Sequence, residues 1–218
     1  MFNVKAVAVI PAFNEEKRIG KVIKETKKYV NRVIVVDDGS SDETAKVSKR
    51  HGAEVIRYEN NRGKGYATKI GLERAMSLKP EILIFLDADG QHDPRYIPYF
   101  IKAIENGADY VSGCRILTNY PISRKIGNFG LKVLTNLFCP SGVMDTECGY
   151  RAFTLKAAKM LVLKSEKYEI ETDFAYNVWK NKFKIKQIEI KVPIFHSKAA
   201  IKRGIKNFFY LVKIRFGR

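Results

Sequence analysis

Asp87 and Asp89 stand one residue apart, with Gln91 two further on, where the apolar run Ile82–Leu86 ends. The run reads as a buried strand. A strand that stops in acids sets them at the carboxyl edge of a sheet, where open α/β folds bind ligands. Two hard carboxylate donors and the carbonyl oxygen of Gln91 suit Mg²⁺ or Mn²⁺. Such an ion can clamp a diphosphate and neutralise charge on a departing phosphate. Asp and Gly are also ordinary turn residues, so Phe85–Pro94 taken alone fits a plain strand-to-turn transition as well.

Three more polar clusters follow apolar runs. In Pro11–Glu16, Pro ends a strand and Asn14 or Glu15 opens a helix. In Asp37–Asp42, two adjacent acids can accept from a base N–H or a ribose hydroxyl. In Asn61–Gly65, small residues let backbone approach a phosphate while Lys64 supplies charge. Four clusters on one sheet edge make a nucleotide-diphosphate site the economical explanation. No GK[ST] ending and no GxGxxG after the first strand is present, which argues against an NTPase and a dinucleotide dehydrogenase. No Ser/His/Asp arrangement stands out. His51 reads as a helix-end surface residue, His92 as an exposed turn residue or a ligand, and His196 as a distal metal or phosphate ligand.

The hydrophobic pattern supplies the elements that must hold these clusters. Val4–Ile10, Arg32–Val36, Glu54–Tyr58 and Ile82–Leu86 read as strands. Glu15–Tyr29, a segment to Arg50 capped by Ser41 or Asp42, Gly65–Leu78 and Pro94–Asn106 read as helices. This run of βα units predicts an α/β fold: a Rossmann-like, mostly parallel sheet flanked by helices. The second half is less regular. It offers a strand at Tyr110–Gly113, an amphipathic segment Ser123–Phe138, a polar loop Asp145–Arg151, a helix Ile170–Asn181 and a strand Ile185–Val192.

At 218 residues and 45% hydrophobic content, the chain has the size and composition of one globular unit. No apolar stretch approaches the length of a transmembrane helix. The start enters a strand directly, with no basic leader or cleavage site, so a cytoplasmic protein is expected. Cys114, Cys139 and Cys148 are too few and too scattered for a disulfide framework or a zinc site. The formal net charge is +17, and Trp179–Arg218 carries twelve Lys/Arg against one acid, Glu189. Such an end attracts nucleic acid or an anionic membrane, although a Lys-rich solvated face in a thermophile gives the same balance. Nucleic acid is the poorer partner, because acids gathered on the sheet edge repel phosphate. Wound as a helix, Ile201–Phe216 gathers Ile201, Ile205, Phe208, Phe209, Val212 and Phe216 on one side, with Lys202, Arg203, Lys206 and Lys213 beside and opposite. A helix of this kind lies in a membrane interface or docks on its own core.

Ile10–Glu16, Val36–Thr44, Gly63–Gly65 and Asp87–His92 together resemble the family 2 glycosyltransferases of the GT-A fold. Within them the pattern is most similar to the polyprenyl (dolichyl) phosphate mannosyl- and glucosyltransferases, on Gly113–Arg115, Ser123–Lys125 and Asp145–Arg151. The resemblance runs from residue 4 to about 200, and it implies a catalytic domain over 1–200 with a basic amphipathic helix at 201–218. It further implies that Pro11, Phe13 and Glu15 line the nucleotide pocket. Asp38 would contact the base, with Asp37 beside it, and Lys64 would lie near the donor. Asp87, Asp89 and Gln91 match metal-binding positions. Arg115 and Arg124 match arginines that hold an acceptor phosphate, with Asn128 one turn past Arg124. Ser197 and Lys198 match a loop that closes over the donor. The family's Gly-rich stretch before Ser-Lys is here Pro193–His196, and the transmembrane helices many relatives carry after the domain are not seen.

The reaction implied is transfer of a hexose from GDP-mannose or UDP-glucose to a polyprenyl or dolichyl phosphate, with inversion at the anomeric carbon. Mg²⁺ or Mn²⁺ and Lys64 would stabilise the leaving diphosphate. A phosphate acceptor is largely ionised at neutral pH and needs no general base, only cationic forks. Asp89, Arg115, Arg124 and Asp145 are thus the expected catalytic set. The acids of Asp145–Arg151 either hold sugar hydroxyls, or serve as a base, or fix the loop through an Asp145–Arg151 pair. An alternative keeps the fold and gives the sugar to a glycan or polysaccharide hydroxyl, with Asp145 or Glu147 as base. A sugar-nucleotide pyrophosphorylase would carry a Gly-rich loop with Arg after the first strand, and Pro11–Glu16 has neither. The expected partners are the nucleotide sugar, the lipid phosphate and the cytoplasmic face of a membrane, touched peripherally through Ser123–Phe138 and Ile201–Phe216.

Overall fold

The structure, a computed structural model, describes residues 4–116, 139–193 and 200–216, the side chains of the last segment from 206 on. Among these residues seven strands form one sheet in the order β3-β2-β1-β4-β6-β5-β7. They are β1 (Ala6–Ala12), β2 (Arg32–Asp37), β3 (Glu54–Arg57), β4 (Ile82–Phe85), β5 (Tyr110–Arg115), β6 (Arg151–Thr154) and β7 (Ile185–Ile190). Only β6 runs against its neighbours, β4 and β5. The helices are α1 (Ile19–Thr26), α2 (Thr44–Arg50), α3 (Lys64–Ser77), α4 (Ile97–Glu105), α5 (Leu155–Lys159), α6 (Ile170–Lys180) and α7 (Ala200–Phe216).

The central strands are apolar throughout because both sheet faces are covered. Side chains alternate across the pleat. Ala6, Ala8 and Ile10 of β1, with Ile82 and Ile84 of β4, meet Ile19 and Ile23 of α1 and Phe100 and Ile101 of α4. Val7 and Val9, with Leu83 and Phe85, face Ala67 and Leu72 of α3 and Ile170, Phe174 and Val178 of α6. Phe85, Phe153 and Phe174 pack as one aromatic group, with ring centroids 5.5–6.1 Å apart. A side chain at Gly71 would fall 2.3 Å from Val9 Cγ1, so α3 lies against the sheet as closely as a bare backbone allows. The strand order reverses between β1 and β4, and the loops leaving their carboxyl ends open there into a crevice.

Several elements differ from the sequence pattern. α1 begins at Ile19 rather than Glu15, and the chain before it is tied to the β2–α2 connection and the start of α2. Asn14, Glu15 and Glu16 donate to Ser40 Oγ, Thr44 Oγ1 and Asp42 Oδ2 at 2.9, 2.7 and 3.1 Å. Asn14 takes a left-handed backbone (φ 55°) to make this turn. Pro94–Tyr96 is a 3₁₀ turn ahead of α4, capped by Asp93, whose carboxylate accepts the Arg95 amide at 2.9 Å. Arg151, expected in a polar loop, is the first residue of the unforeseen strand β6. Ser123–Phe138 lies outside the described residues.

The helix expected at the chain's end docks and exposes at once. On α7, Asn207 and Leu211 are buried, while Phe209 and Phe216 are 67% and 60% exposed. Tyr210 donates its hydroxyl to Asp173 at 2.9 Å, Lys206 Nζ lies 2.5 Å from Glu169, and the Arg215 guanidinium sits 4.6 Å over the Trp179 ring. Among the described residues no helix is long and apolar enough to cross a membrane.

Candidate active site

The turn after β2 and the entry to α3 are locked together by Asp38. Its two oxygens accept the Arg62 and Gly63 amides at 2.7 and 2.8 Å, which fixes the turn that leads into α3. Asp37 is fully buried, and one of its oxygens accepts the Ser40 amide at 2.9 Å. The other oxygen makes no hydrogen bond and lies 3.5 Å from Arg57 Nε. Asp37 therefore shapes the turn from a buried position. Phe13 is 46% exposed beside the crevice, Pro11 lines it, and Glu15 pairs with Arg18 at 2.6 Å.

At the centre Lys64, the first residue of α3, extends its ammonium between two carboxylates. It lies 2.6 Å from Asp87 Oδ1 and 2.8 Å from Glu171 Oε1. Glu171 in turn pairs with the buried Arg151, which also donates to the Cys148 carbonyl. The Arg151 guanidinium lies 4.3 Å over the Phe174 ring. Burial would lower the Lys64 pKa, but Asp87 and Glu171 outweigh it and hold the lysine charged. Burial likewise would raise the Asp87 carboxyl, but Lys64 holds it well below the usual range. Asp89 has no such cation: burial, then the charge of Asp87, pushes it up. Its Oδ1 accepts the Gln91 amide at 2.9 Å, which closes a turn from 89 to 91.

His92 is not the exposed turn residue that the sequence allowed. It is 4% exposed and stacks on Tyr150 at 5.1 Å. The Asp87 amide donates to its Nδ1 at 3.1 Å, and burial pushes its pKa down to about 4, leaving it neutral. It props the Asp87 turn from beneath. Gly149 completes the site from the other side. A Cβ there would fall 2.9 Å from both Asp87 oxygens and 3.0 Å from Lys64 Nζ.

These groups fit a divalent cation. Two charged side chains, Lys64 and Arg151, stand against three acids, Asp87, Asp89 and Glu171, so an excess of negative charge remains to be matched. Among the described residues no three His, Cys, Asp or Glu gather as a complete cage. Mg²⁺ and Mn²⁺ do not require one, since Mg²⁺ is commonly held by one or two carboxylates with water and substrate phosphate.

Arg115, at the end of β5, forks onto Asp145, with Nε and Nη2 at 2.6 and 2.8 Å from its two oxygens. The Asp145–Arg151 pair, one of the readings the sequence left open, is not formed: Asp145 pairs with Arg115, and Arg151 with Glu171. Glu147, in the same loop, accepts from Asn207 of α7 at 2.9 Å, and burial raises its pKa. Arg124, Asn128, His196, Ser197 and Lys198 lie outside the described residues. Glu171 and Asn207 escaped the sequence reading. Glu171 left one signal: on α6 it shares a helical face with the buried Ala175 and Val178, an acid on an apolar stripe.

A model of the family described as glycosyl transferase family 2 matches residues 7–160. An uncharacterised protein of Methanocaldococcus jannaschii is 40% identical over 94% of this chain and 89% of its own. The UDP-N-acetylglucosamine–dolichyl-phosphate N-acetylglucosaminyltransferase of Methanococcus voltae is 34% identical over 96% of both chains. Among solved structures, glucosyl-3-phosphoglycerate synthase from Mycobacterium tuberculosis, in complex with Mn²⁺, UDP and glucosyl-3-phosphoglycerate, is similar in fold. The TM-score is 0.76 at 19% identity, over 99% of this chain and 81% of that one.

Proposed function

The chain belongs to glycosyl transferase family 2, and from that premise we propose that it moves a hexose from a nucleoside diphosphate sugar to a polyprenyl or dolichyl phosphate, inverting the anomeric centre. One observation carries the reading: Lys64 meets Asp87, two residues before Asp89, at the point where the sheet order reverses. The methanococcal relative is named for a dolichyl-phosphate acceptor and a UDP sugar, which favours a uridine donor over GDP-mannose.

In this reading Asp87, Asp89 and Gln91 hold Mg²⁺ or Mn²⁺, which when bound neutralises charge on the leaving diphosphate. Lys64 supplies a fixed positive charge to the same phosphates, with Asp87 and Glu171 keeping it oriented and protonated. Phe13 and Pro11 flank the nucleotide, and Asp38 reaches the base while shaping the phosphate-binding turn. Asp145 holds the Arg115 fork in one orientation for the acceptor phosphate, as Arg124 would from the segment that follows β5. An ionised phosphate oxygen attacks C1 from the face opposite the diphosphate, and no proton need be removed. Residues 1–200 act as the catalytic unit, with Lys198 counted among the donor-binding residues.

The lipid is met at the membrane surface. Phe209 and Phe216 stand seven residues apart on the exposed side of α7, among Lys206, Lys213 and Arg215. This pattern suits peripheral binding to the anionic cytoplasmic leaflet. A hydroxyl acceptor is the second reading, favoured by the raised Glu147 carboxyl, which has the pKa direction of a general base.

The test is transfer of labelled sugar from UDP-glucose, UDP-N-acetylglucosamine or GDP-mannose, with Mn²⁺ and a polyprenyl phosphate. Label entering the organic phase from one donor supports the proposal. Label passing only to water-soluble glycan establishes the second reading instead.

A further inference from the structure

We propose that Asp173 is a positioning residue for the donor-phosphate turn, fastening the segment 164–167 that is wedged against the start of α3. The inference rests on the reading that Lys64 attends the donor phosphates. Asp173 is 2% exposed in the first turn of α6. Its Oδ2 accepts from the amides of Lys164 and Ser165, both at 2.7 Å, and from Ser165 Oγ at 2.8 Å. Its Oδ1 accepts the Tyr210 hydroxyl of α7 at 2.9 Å. A carboxylate this fully bonded is fixed in place, and so is the chain it binds.

That chain leads directly to the site. The Glu166 carbonyl accepts the Tyr66 amide at 2.9 Å. A Cβ on Gly63 would fall 2.6 Å from the Glu166 carbonyl oxygen, and one on Gly65 would fall 2.7 Å from that of Ser165. Lys64 lies between these two glycines, and its ammonium reaches Glu171, two residues before Asp173. One turn of α6 thus sets both the backbone of Lys64, through Asp173 and the 164–167 segment, and its charge, through Glu171. Tyr210 adds α7 to the same carboxylate, so the helix proposed to meet the membrane is one hydrogen bond from the strut behind the donor turn.

Three variants, D173A, D173N and Y210F, test this by two readouts: hydrogen exchange at the Tyr66 amide, and donor binding and kinetics with UDP, GDP and their sugars in Mn²⁺. In D173A the Lys164 and Ser165 amides lose their acceptor. Tyr66 exchange is expected to quicken about tenfold or more, and the diphosphate Kd and donor KM to rise about tenfold. The kcat is expected to change less than about threefold, because the strut sets position and not chemistry. D173N is expected to restore most of both, since its amide oxygen still accepts the three bonds from 164–165. Y210F should shift both readouts in the same direction by a smaller factor, and it serves should D173A not fold. A folded D173A with Tyr66 exchange unchanged, or with lower thermal stability but Kd and KM within twofold of wild type, overturns the proposal. Quickened exchange in a protein whose wild type binds neither UDP nor GDP supports the fastening and sinks the donor reading alone.

Discussion

Asp87 is fixed from three sides: Lys64 on its carboxylate, His92 under its amide, and the bare backbone of Gly149 against its oxygens. Gly149→Ala drives a methyl into that contact, and overpacking of this kind costs about 1–3 kcal/mol. The cost falls on the site and not the core, so kcat/KM is expected to drop at least about tenfold while circular dichroism stays that of wild type. Wild-type kinetics in this variant would show that Asp87 has slack the structure does not give it. Glu147 makes a pH prediction. Burial raises its carboxyl, so the folded chain holds that proton more tightly than the unfolded chain does. The charged form therefore costs stability, none of it below the unfolded value near 4.5 and more of it as pH rises through the folded value. Glu147→Gln should be more stable than wild type at about pH 8, with the advantage gone near pH 4. Parallel melting profiles across that range would contradict the assignment. Asp87, Asp89 and Lys64 were legible in the sequence because each abuts a strand end or a Gly-flanked turn. Glu171 and Asn207 were not, because their roles exist only once α6 and α7 have docked, and distant helices leave no local spacing to read.

The helices reach the site by packing closely on strands of small and branched residues. Gly71 is the tightest point, with Val9 Cγ1 2.3 Å and Val36 Cγ2 3.1 Å from where its Cβ would stand. Gly71→Ala is expected to destabilise by about 1–3 kcal/mol despite its gain in helix propensity. A calorimetric melt checks this, and an unchanged or raised Tm would mean α3 can shift on the sheet. The first half of the fold was readable because each βα unit repeats a short apolar run followed by a helical one. β6 was not. It has four residues and begins with a charged arginine whose partner, Glu171, lies on another element. Its antiparallel insertion between β4 and β5 also breaks the alternation that made the earlier strands predictable. The late start of α1 was also hidden: the chain before it is tied by its amides to Ser40, Asp42 and Thr44, contacts that local spacing does not show.

Across the whole molecule the charge of +17 and the exposed side of α7 point toward an anionic surface. The protein is expected to float with vesicles containing anionic lipid and to be released by salt. Lys213→Glu should weaken that binding at least about fivefold at low ionic strength, at about 1 kcal/mol per basic charge lost. Equal flotation with neutral vesicles would leave the charge without this role. Whatever surface the protein meets, its chemistry turns on whether Asp87 and Asp89 grip a divalent cation that holds the donor diphosphate. Titration calorimetry of the purified chain with UDP-glucose, UDP-N-acetylglucosamine and GDP-mannose, with Mn²⁺ and then with EDTA, measures this directly. One donor should bind in Mn²⁺ and lose at least about a hundredfold in affinity in EDTA, with D87N and D89N binding weakly in both. Equal binding with and without the metal, unchanged by either substitution, would contradict the account.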